Sequence, residues 1–451
     1  MSSPTARARK LRWNLRLVSA TAVSAALIIP LTACSTEATN AAKSDTPIEI
    51  WTRSGDTQAK TYQKILAAFT ADTGIKVTYK PVADFDTQLV TRATQKNLPD
   101  LFINDAGSLG QYVALGYLKQ IDRTTIKGND QLSDANWQEN LGTDGKIYGV
   151  PFSRQAAVMT IRKDWREKLN LPIPKTWDDV TAMATAFATK DPDGDGKANT
   201  YGMVVPGTAQ SGYIARWGSP YLWQAGGDIV KQTGGKYTSV FGAPETKRAM
   251  EWIRTQFCTP GNVVPGSINL NTTDALGFSD GKAGMYLTGA YQLTVFDKAV
   301  GKENVEVVPM PHGPKNNTTF AEGENVYFAS TSKNPSGQKA LAEYLITEKA
   351  QKIGMDSPAA GGPGPFTSVV RLPVNTRVDA GAVYADPRWG IVADAYRNQP
   401  HAYPWNINFI PLRQIVADNM NAMMADCNSD IPALIAKTDT ALKAEIARQG
   451  I

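Results

Sequence analysis

The chain has 451 residues and a formal charge of +5, from 47 Lys and Arg residues against 42 Asp and Glu residues. Five basic residues and no acidic residue precede Cys34, so the chain that follows holds 42 residues of each sign and offers no basic surface for nucleic acid. Its histidines, His312 and His401, have no partner at metal-ligand spacing, which argues against a metal-dependent hydrolase.

The N-terminus has the pattern of a bacterial export signal. Its basic residues precede an apolar run from Leu17 to Leu31, which is shorter than the roughly 18–20 residues of a membrane-spanning helix. The run ends in Leu31-Thr32-Ala33-Cys34, which resembles the lipobox of bacterial lipoproteins. The resemblance implies a signal peptide over residues 1–33, a diacylglycerol on the thiol of Cys34, and attachment to the extracytoplasmic face of the cell membrane. The alternative is a plain secretory signal with an incidental cysteine.

The residues after the signal are predicted to form a tether and two lobes. Residues 34–46 are small and polar, a composition typical of a flexible linker. About 418 residues follow the signal peptide, more than a single hydrophobic core usually organises. The remaining cysteines, Cys258 and Cys427, form either a disulfide or two buried thiols, and the sequence leaves both open.

The first part of the folded chain alternates between strand and helix patterns. Ile48-Glu49-Ile50-Trp51 alternates as a strand, and apolar residues at helical spacing follow it until Gly74. The alternation predicts an α/β lobe with a largely parallel sheet, in which ligands lie beyond the carboxyl ends of the strands. Polar residues at those ends are candidates for ligand contact: Arg53, Asn104 and Asp105. A solvated surface salt bridge is the alternative for each.

Seven short segments carry a family pattern through their order along the chain. They are Ile48-Glu49-Ile50-Trp51, Asp72-Thr73-Gly74-Ile75-Lys76-Val77, Leu98-Pro99-Asp100-Leu101, Gly145-Lys146-Ile147-Tyr148-Gly149-Val150-Pro151, Pro174-Lys175-Thr176-Trp177-Asp178-Asp179, Gly289-Ala290-Tyr291 and Ser332-Lys333-Asn334-Pro335. Each segment alone is weak. All seven in this order resemble the extracellular solute-binding proteins of ABC importers, the family that includes maltose-binding and other sugar-binding proteins.

The resemblance implies a two-lobed α/β fold of the periplasmic-binding-protein-like, class II type, with a hinge between the lobes. By analogy, lobe 1 takes residues 47–153 and 318–356, and lobe 2 takes residues 155–312 and 358–451. The implied function is capture of a carbohydrate in the cleft and its delivery to an ABC importer, whose permease and ATPase are separate chains. We expect a monomer that requires no cofactor.

A sugar site needs aromatic platforms for the C–H faces of the ring and planar polar groups for its hydroxyls. Tyr291 occupies the place where maltose-binding relatives carry a stacking aromatic residue, with a core tyrosine as the alternative. Trp217 and Trp223 flank Gly218-Ser219-Pro220, which is predicted to be a turn; we expect one of them to be a platform and the other to pack in the core. Trp405 lies in a loop without periodicity, where cleft and surface packing are both open.

Further polar candidates lie near the predicted crossings between the lobes. Arg154 and Gln155 follow Pro151-Phe152, where relatives place a polar residue that binds ligand. Glu324 and Asn325 begin the segment that returns to lobe 1. A surface salt bridge is again the alternative for the charged members.

A second candidate site has the spacing of a calcium-binding loop. The segment from Asp191 to Asn199 places oxygen ligands at alternate positions with a glycine at the sharp turn. The candidate ligands are Asp191, Asp193, Asp195, Lys197 and Asn199. Gly202 stands where such a loop carries a bidentate glutamate, so a structural calcium and an Asp/Gly-rich turn that binds nothing are both open.

Two other functions remain as alternatives at this level. A secreted glycoside hydrolase also uses aromatics and carboxylates in a cleft, but it needs two carboxyl groups facing one bond, and no such pair is assignable. A ligand sensor or adhesin could use the same fold, since fold alone does not decide function.

Overall fold

The computed structural model describes residues 46–272, 274–356 and 368–451, as α-helices and β-strands with short 3-10 turns. The strands are β1 (Ile48–Arg53), β2 (Val77–Val82), β3 (Leu101–Asp105), β4 (Gly149–Arg162), β5 (Tyr201–Val204), β6 (Val230–Thr233), β7 (Lys236–Ser239), β8 (Ala283–Gly289), β9 (Val305–Val308), β10 (Thr319–Phe328), β11 (Leu372–Pro373) and β12 (Pro400–His401). The helices are α1 (Asp56–Thr73), α2 (Phe85–Thr94), α3 (Leu109–Ala114), α4 (Asp134–Gln138), α5 (Lys163–Lys168), α6 (Trp177–Thr189), α7 (Tyr213–Gln224), α8 (Pro244–Cys258), α9 (Leu293–Val300), α10 (Pro335–Leu345), α11 (Glu348–Met355), α12 (Ala380–Tyr384), α13 (Arg388–Asn398), α14 (Ile410–Ala425) and α15 (Ile431–Gln449).

The first strand and helix follow the sequence pattern closely. In α1, Ile65 and Phe69 are fully buried at a spacing of one helical turn, so the helix packs one apolar face on the sheet. The helix ends at Gly74, whose φ of 73° is readily adopted by a residue without a Cβ. The predicted strand at residues 48–51 and the predicted helix stop are confirmed.

The sheet is mixed rather than largely parallel. β1 pairs in parallel with β2 and with β3, as βαβ connections require. β10 then pairs antiparallel with β3 on one side and with β4 on the other. The prediction of a mainly parallel sheet holds for β1 to β3 and is wrong beyond them, because the chain returns through β10 in the opposite direction.

The long strand β4 connects the two halves of the molecule. Its first part, residues 149–156, pairs with β10, and its second part, residues 157–162, pairs antiparallel with β8 and β9. β5 extends the second half in parallel with β8. The order β2-β1-β3-β10-β4-β8-β5 therefore runs across both halves, and β4 and β10 are the strands on which they meet.

A large aromatic core fills the second half. Trp177, Tyr221 and Trp252 pack with ring centres 4.7–5.9 Å apart, and α8, α14 and α15 surround the cluster. The turn predicted at residues 218–220 is wrong: α7 passes through Pro220. Ten of its twelve residues are buried, so packing outweighs the cost of an internal proline here.

The bounds of the two lobes stay a prediction, but the core packing does not agree with one of them. The prediction places residues 358–451 in lobe 2, whereas Val369, Leu372 and Trp389 pack in the apolar cluster that holds Ile48 and Ile50 of β1. Among the described residues, no helix has both the length and the apolar character needed to cross a bilayer.

Candidate functional site

A cavity of about 260 Å³ opens where β4 and β10 pass between the two halves. The ends of β1 and β3 form one wall, and α7 and the end of β8 form the opposite wall. Its lining residues are Arg53, Asp105, Gln155, Ala157, Pro206, Tyr213, Arg216, Trp217, Pro220, Thr272, Tyr286, Leu287, Thr288, Gly289, Tyr291, Phe320, Glu322, Gly323, Glu324 and Arg371. Both halves of the molecule therefore contribute to a single concave site.

Three ion pairs supply the charged groups of the cavity. Arg53 is paired with Asp105, Arg216 with Glu322, and the Nη1 atom of Arg371 lies 3.2 Å from Glu324 Oε1. Each guanidinium and carboxylate is planar and can form two parallel hydrogen bonds with a pair of neighbouring hydroxyls. The Arg53 side chain keeps 45% of its exposure, so it is accessible to a ligand.

Electrostatics keeps the Asp105 pair ionised. Burial raises the pKa of Asp105, but the guanidinium groups of Arg53 and Arg216 outweigh it and hold the pKa below its usual range. The Asp105 carboxylate in turn raises the pKa of Arg53. At neutral pH this carboxylate is therefore an acceptor of hydrogen bonds and holds no proton to donate.

Tyr291 presents an aromatic ring to the same space. It follows β8 in a short 3-10 turn, and a Cβ on Gly289 would lie 2.6 Å from its ring, so only glycine lets the ring fold back over the strand end. The guanidinium of Arg371 lies 5.9 Å from the ring centre. Burial raises the pKa of Tyr291, so its hydroxyl is neutral and can donate a hydrogen bond.

The structure brings six of the predicted binding residues together in the cavity lining. They are Arg53, Asp105, Gln155, Trp217, Glu324 and Tyr291. Gln155 Nε2 donates to Glu322 Oε1 at 2.6 Å, which orients the carboxylate beside Arg216. The tryptophan of α7 that lines the cavity is thus Trp217.

Two polar predictions are corrected by strand alternation, because neighbouring residues of a strand point to opposite faces. Asn104 precedes Asp105 in β3, is 3% exposed, and lies within hydrogen-bonding distance of the Tyr112 hydroxyl instead of the cavity. Arg154 precedes Gln155 in β4, is 1% exposed, and pairs with Glu139 at 2.8 Å. Both side chains therefore lie on the face of their strand opposite the cavity.

Asn325 and two tryptophans also lie outside the cavity lining. Asn325 is fully buried and accepts a hydrogen bond from Arg154 at 3.1 Å. Trp223 stacks on Phe320 with ring centres 5.9 Å apart, and its Nε1 donates to Asp228. Trp405 is 6% exposed and packs in the core of the second half. The two tryptophans have the packing role that large aromatics usually take.

Three charged residues of the cavity lining were not predicted from the sequence: Arg216, Glu322 and Arg371. Arg216 immediately precedes Trp217, and Glu322 lies two residues before Glu324 on the same face of β10, so strand alternation from Glu324 would have found it. Arg371 carried no signal, because the chain around it matches no segment of the family pattern. Its position is fixed by the pairing of β11 with β4.

The other predicted sites are outside this cavity. Asp191, Asp193 and Asp195 bring carboxylate oxygens within 4.8 Å of one another, while Asn199 donates to Asp195 and Lys197 Nζ lies 3.5 Å from the same Asp195 oxygen. Calcium binding by this loop stays a prediction. Cys258 and Cys427 are joined by a disulfide with a Cα–Cα distance of 5.8 Å. Cys34 lies outside the described residues.

Known proteins share both the sequence pattern and the fold. The profile of the bacterial extracellular solute-binding protein family matches residues 64–382. A polygalacturonan/rhamnogalacturonan-binding protein of Bacillus subtilis is 29% identical over 61% of this chain and 56% of its own length, so the chain spans about half of that relative.

Two further matches extend the comparison. A maltooligosaccharide ABC transporter solute-binding lipoprotein of Streptococcus pneumoniae is 24% identical over 65% of this chain and 67% of its own length. The solved structure of an ABC transporter solute-binding protein from Thermotoga lettingae, bound with alpha-D-tagatose, matches with a TM-score of 0.73 and 20% identity, covering 89% of this chain and 99% of that one. The two-lobed fold is therefore shared, and at this identity the structural match speaks for the fold alone.

Proposed function

Because this chain belongs to the bacterial extracellular solute-binding protein family, we propose that its cavity captures a carbohydrate and that the protein delivers it to an ABC importer. The observation that carries the proposal is the joint lining of the cavity by Tyr291 and by three arginine–carboxylate pairs. An aromatic face suits the C–H surface of a sugar ring, and bidentate groups suit its vicinal hydroxyls. Relatives named for binding maltooligosaccharide and polygalacturonan support the same class of ligand.

The proposed mechanism is closure of the two halves around the ligand. β4 and β10 run from one half into the other, and the cavity lies beside them. A sugar that contacts Arg53 on one wall and Tyr291 on the other stabilises the closed arrangement over the open one. No covalent step is required.

Binding is favoured over hydrolysis by the state of the cavity carboxylates. A glycoside hydrolase needs a carboxylic acid of raised pKa opposite a second carboxyl group. Here Asp105 has a lowered pKa, and Glu322 and Glu324 are each paired with an arginine. The arrangement suits hydrogen bonding to hydroxyls better than proton donation to a glycosidic oxygen.

The proposal includes a lipid anchor on Cys34 and a membrane importer as partner. The lipobox-like segment before Cys34 supports the anchor, and the relative from Streptococcus pneumoniae is named a lipoprotein. Labelled fatty acid should enter the wild-type protein in cells and not Cys34→Ala. Label in neither protein would contradict the anchor. Loss of sugar uptake on deletion of the protein would separate an importer subunit from a sensor.

The binding function is tested by calorimetric titration of the chain from residue 46 with a panel of mono- and oligosaccharides. We expect at least one sugar to bind saturably, and chromatography of the mixture to return that sugar unchanged. Cleaved sugar would replace the binder with a hydrolase. The absence of any saturable binding across the panel would reject carbohydrate as the ligand class.

A further inference from the structure

Arg413 differs from the arginines that line the cavity, because it has no anionic partner. Of the described residues that line the cavity, three are cationic and three anionic, and they are paired with one another. The side chain of Arg413 forms no hydrogen bond or ion pair with any described residue, and its buried Nε atom has no acceptor. Arg413 is thus an additional cation next to three arginines whose charges are balanced by three carboxylates.

Arg413 is not itself a lining residue of the cavity, but it packs against the segment that leads into one wall. It lies in the first turn of α14, and its side chain crosses the backbone of Gly212. A Cβ on Gly212 would lie 2.6 Å from Nε and 2.8 Å from Cγ of Arg413, so the crossing depends on the glycine. Gly212 directly precedes Tyr213, which lines the cavity.

The electrostatic effects of Arg413 reach the cavity groups. Burial and the neighbouring charge of Arg216 lower the pKa of Arg413. Although burial opposes the effect, Arg413 joins Arg53 and Arg216 in lowering the pKa of Asp105. The first turns of α7 and α14 hold no acidic residue, so the positive ends of their dipoles add to the potential there.

We propose that the carbohydrate bound by this protein carries an acidic group, and that Arg413, beside Arg216, binds it. The inference rests on the proposed function. A partly buried cation without a partner has an unfavourable free energy, which an anion from the ligand would offset. Guanidinium groups bind carboxylate and sulfate through two parallel hydrogen bonds. A neutral sugar would leave Arg413 with only the attraction of Asp105 and Glu322, each of which is already paired with another arginine.

The test is a set of calorimetric titrations with matched ligands. The disaccharides of galactose and of galacturonate differ only in the C6 group, which is a neutral hydroxymethyl in one and a carboxylate in the other. Galactose 6-sulfate carries a sulfate at C6 and shows whether the site accepts sulfate as well as carboxylate. Each is titrated into wild-type protein, Arg413→Gln, Arg413→Lys and Arg397→Gln. Arg397 lies on α13 with a side chain that is 66% exposed and pairs with Asp394, so it controls for the loss of one positive charge. Thermal unfolding of each variant shows whether it is folded.

We expect an acidic sugar to bind at least about tenfold more tightly than its neutral counterpart, and added salt to weaken only the acidic ligand. Arg413→Gln should remove this preference, Arg413→Lys should retain part of it, and Arg397→Gln should leave it unchanged. Equal binding of both sugars by wild type, or equal losses for both in Arg413→Gln, would overturn the inference and leave the proposed function standing. Failure of every sugar to bind would overturn the proposed function and this inference with it.

Discussion

At the scale of single residues, the cavity offers a sugar two kinds of contact: hydrogen bonds from paired charged side chains and stacking on the ring of Tyr291. Paired charges such as Arg53 and Asp105 can shift to meet hydroxyls in several arrangements. The ring of Tyr291 lies over Gly289 and beside the guanidinium of Arg371, whose carbon is 5.9 Å from the ring centre. We therefore expect the ring to determine where a sugar ring lies.

The first prediction is that Tyr291→Ala weakens carbohydrate binding by about tenfold, because it removes an aromatic contact worth roughly 0.5–1.5 kcal/mol beyond its buried area. Tyr291→Phe is the matched control: it keeps the ring and removes only the hydroxyl, so it should lose less affinity than Tyr291→Ala. Calorimetric titration with the sugar found in the panel gives both affinities. Wild-type affinity in Tyr291→Ala would remove this residue from the site.

The sequence could indicate which strand ends hold the polar residues, but not which residue of each pair faces the cavity. Asn104 and Asp105 are both polar, as are Arg154 and Gln155. The face is set by the register of β3 and β4 against β10, which depends on pairing over more than 150 residues of chain. The place of Arg371 in the cavity could not be predicted either, because it depends on the pairing of β11 with β4.

At the scale of elements, the disulfide links the end of α8 to the segment after α14, and neither cysteine lines the cavity. The sequence alone does not decide whether Cys258 and Cys427 form a disulfide, because their distance depends on how the helices pack. The structure has α8 and α14 in contact within the core of the second half. The bond closes a long segment, with a sequence separation of 169.

The second prediction is that Cys258→Ser combined with Cys427→Ser lowers the free energy of unfolding by about 2–4 kcal/mol, because the unfolded chain regains the entropy of a long loop. Urea denaturation measures the change, and sugar affinity should be unaffected. Reductant should destabilise the wild type by a similar amount and leave the double variant unchanged. Equal stability of the two proteins would show that the bond contributes nothing.

The third prediction concerns the loop between α6 and β5. If Asp191, Asp193 and Asp195 hold calcium, their mutual repulsion is relieved by the ion, and adding calcium to chelator-treated protein should raise the unfolding temperature. Asp193→Asn with Asp195→Asn should abolish the rise, and magnesium should produce a smaller one. No heat on calcium titration would identify the loop as a turn that binds no ion.

At the scale of the whole molecule, the family pattern predicted the two-lobed α/β fold, while the turn predicted at Gly218-Ser219-Pro220 was wrong. The α/β character follows from strand and helix periodicity, whereas the two-lobed arrangement is what the resemblance of the seven ordered segments to the family implies. The helix α7 through Pro220 depends instead on tertiary packing of Trp217, Tyr221 and Trp223. Local helix propensity alone therefore could not predict that α7 continues through Pro220.

β4 and β10 connect both halves, so the halves can close around a ligand by bending at these strands. Since the cavity has one wall on each half, a bound sugar should reduce the distance between them. A protein that held its ligand on one half alone would not change shape.

Small-angle X-ray scattering with and without the bound sugar measures this closure. We predict that the radius of gyration decreases as the sugar saturates the wild-type protein, and that in Tyr291→Ala the decrease requires a correspondingly higher sugar concentration. A radius of gyration that stays constant in the wild type, at sugar concentrations that calorimetry shows to be saturating, would contradict capture by closure of the two lobes.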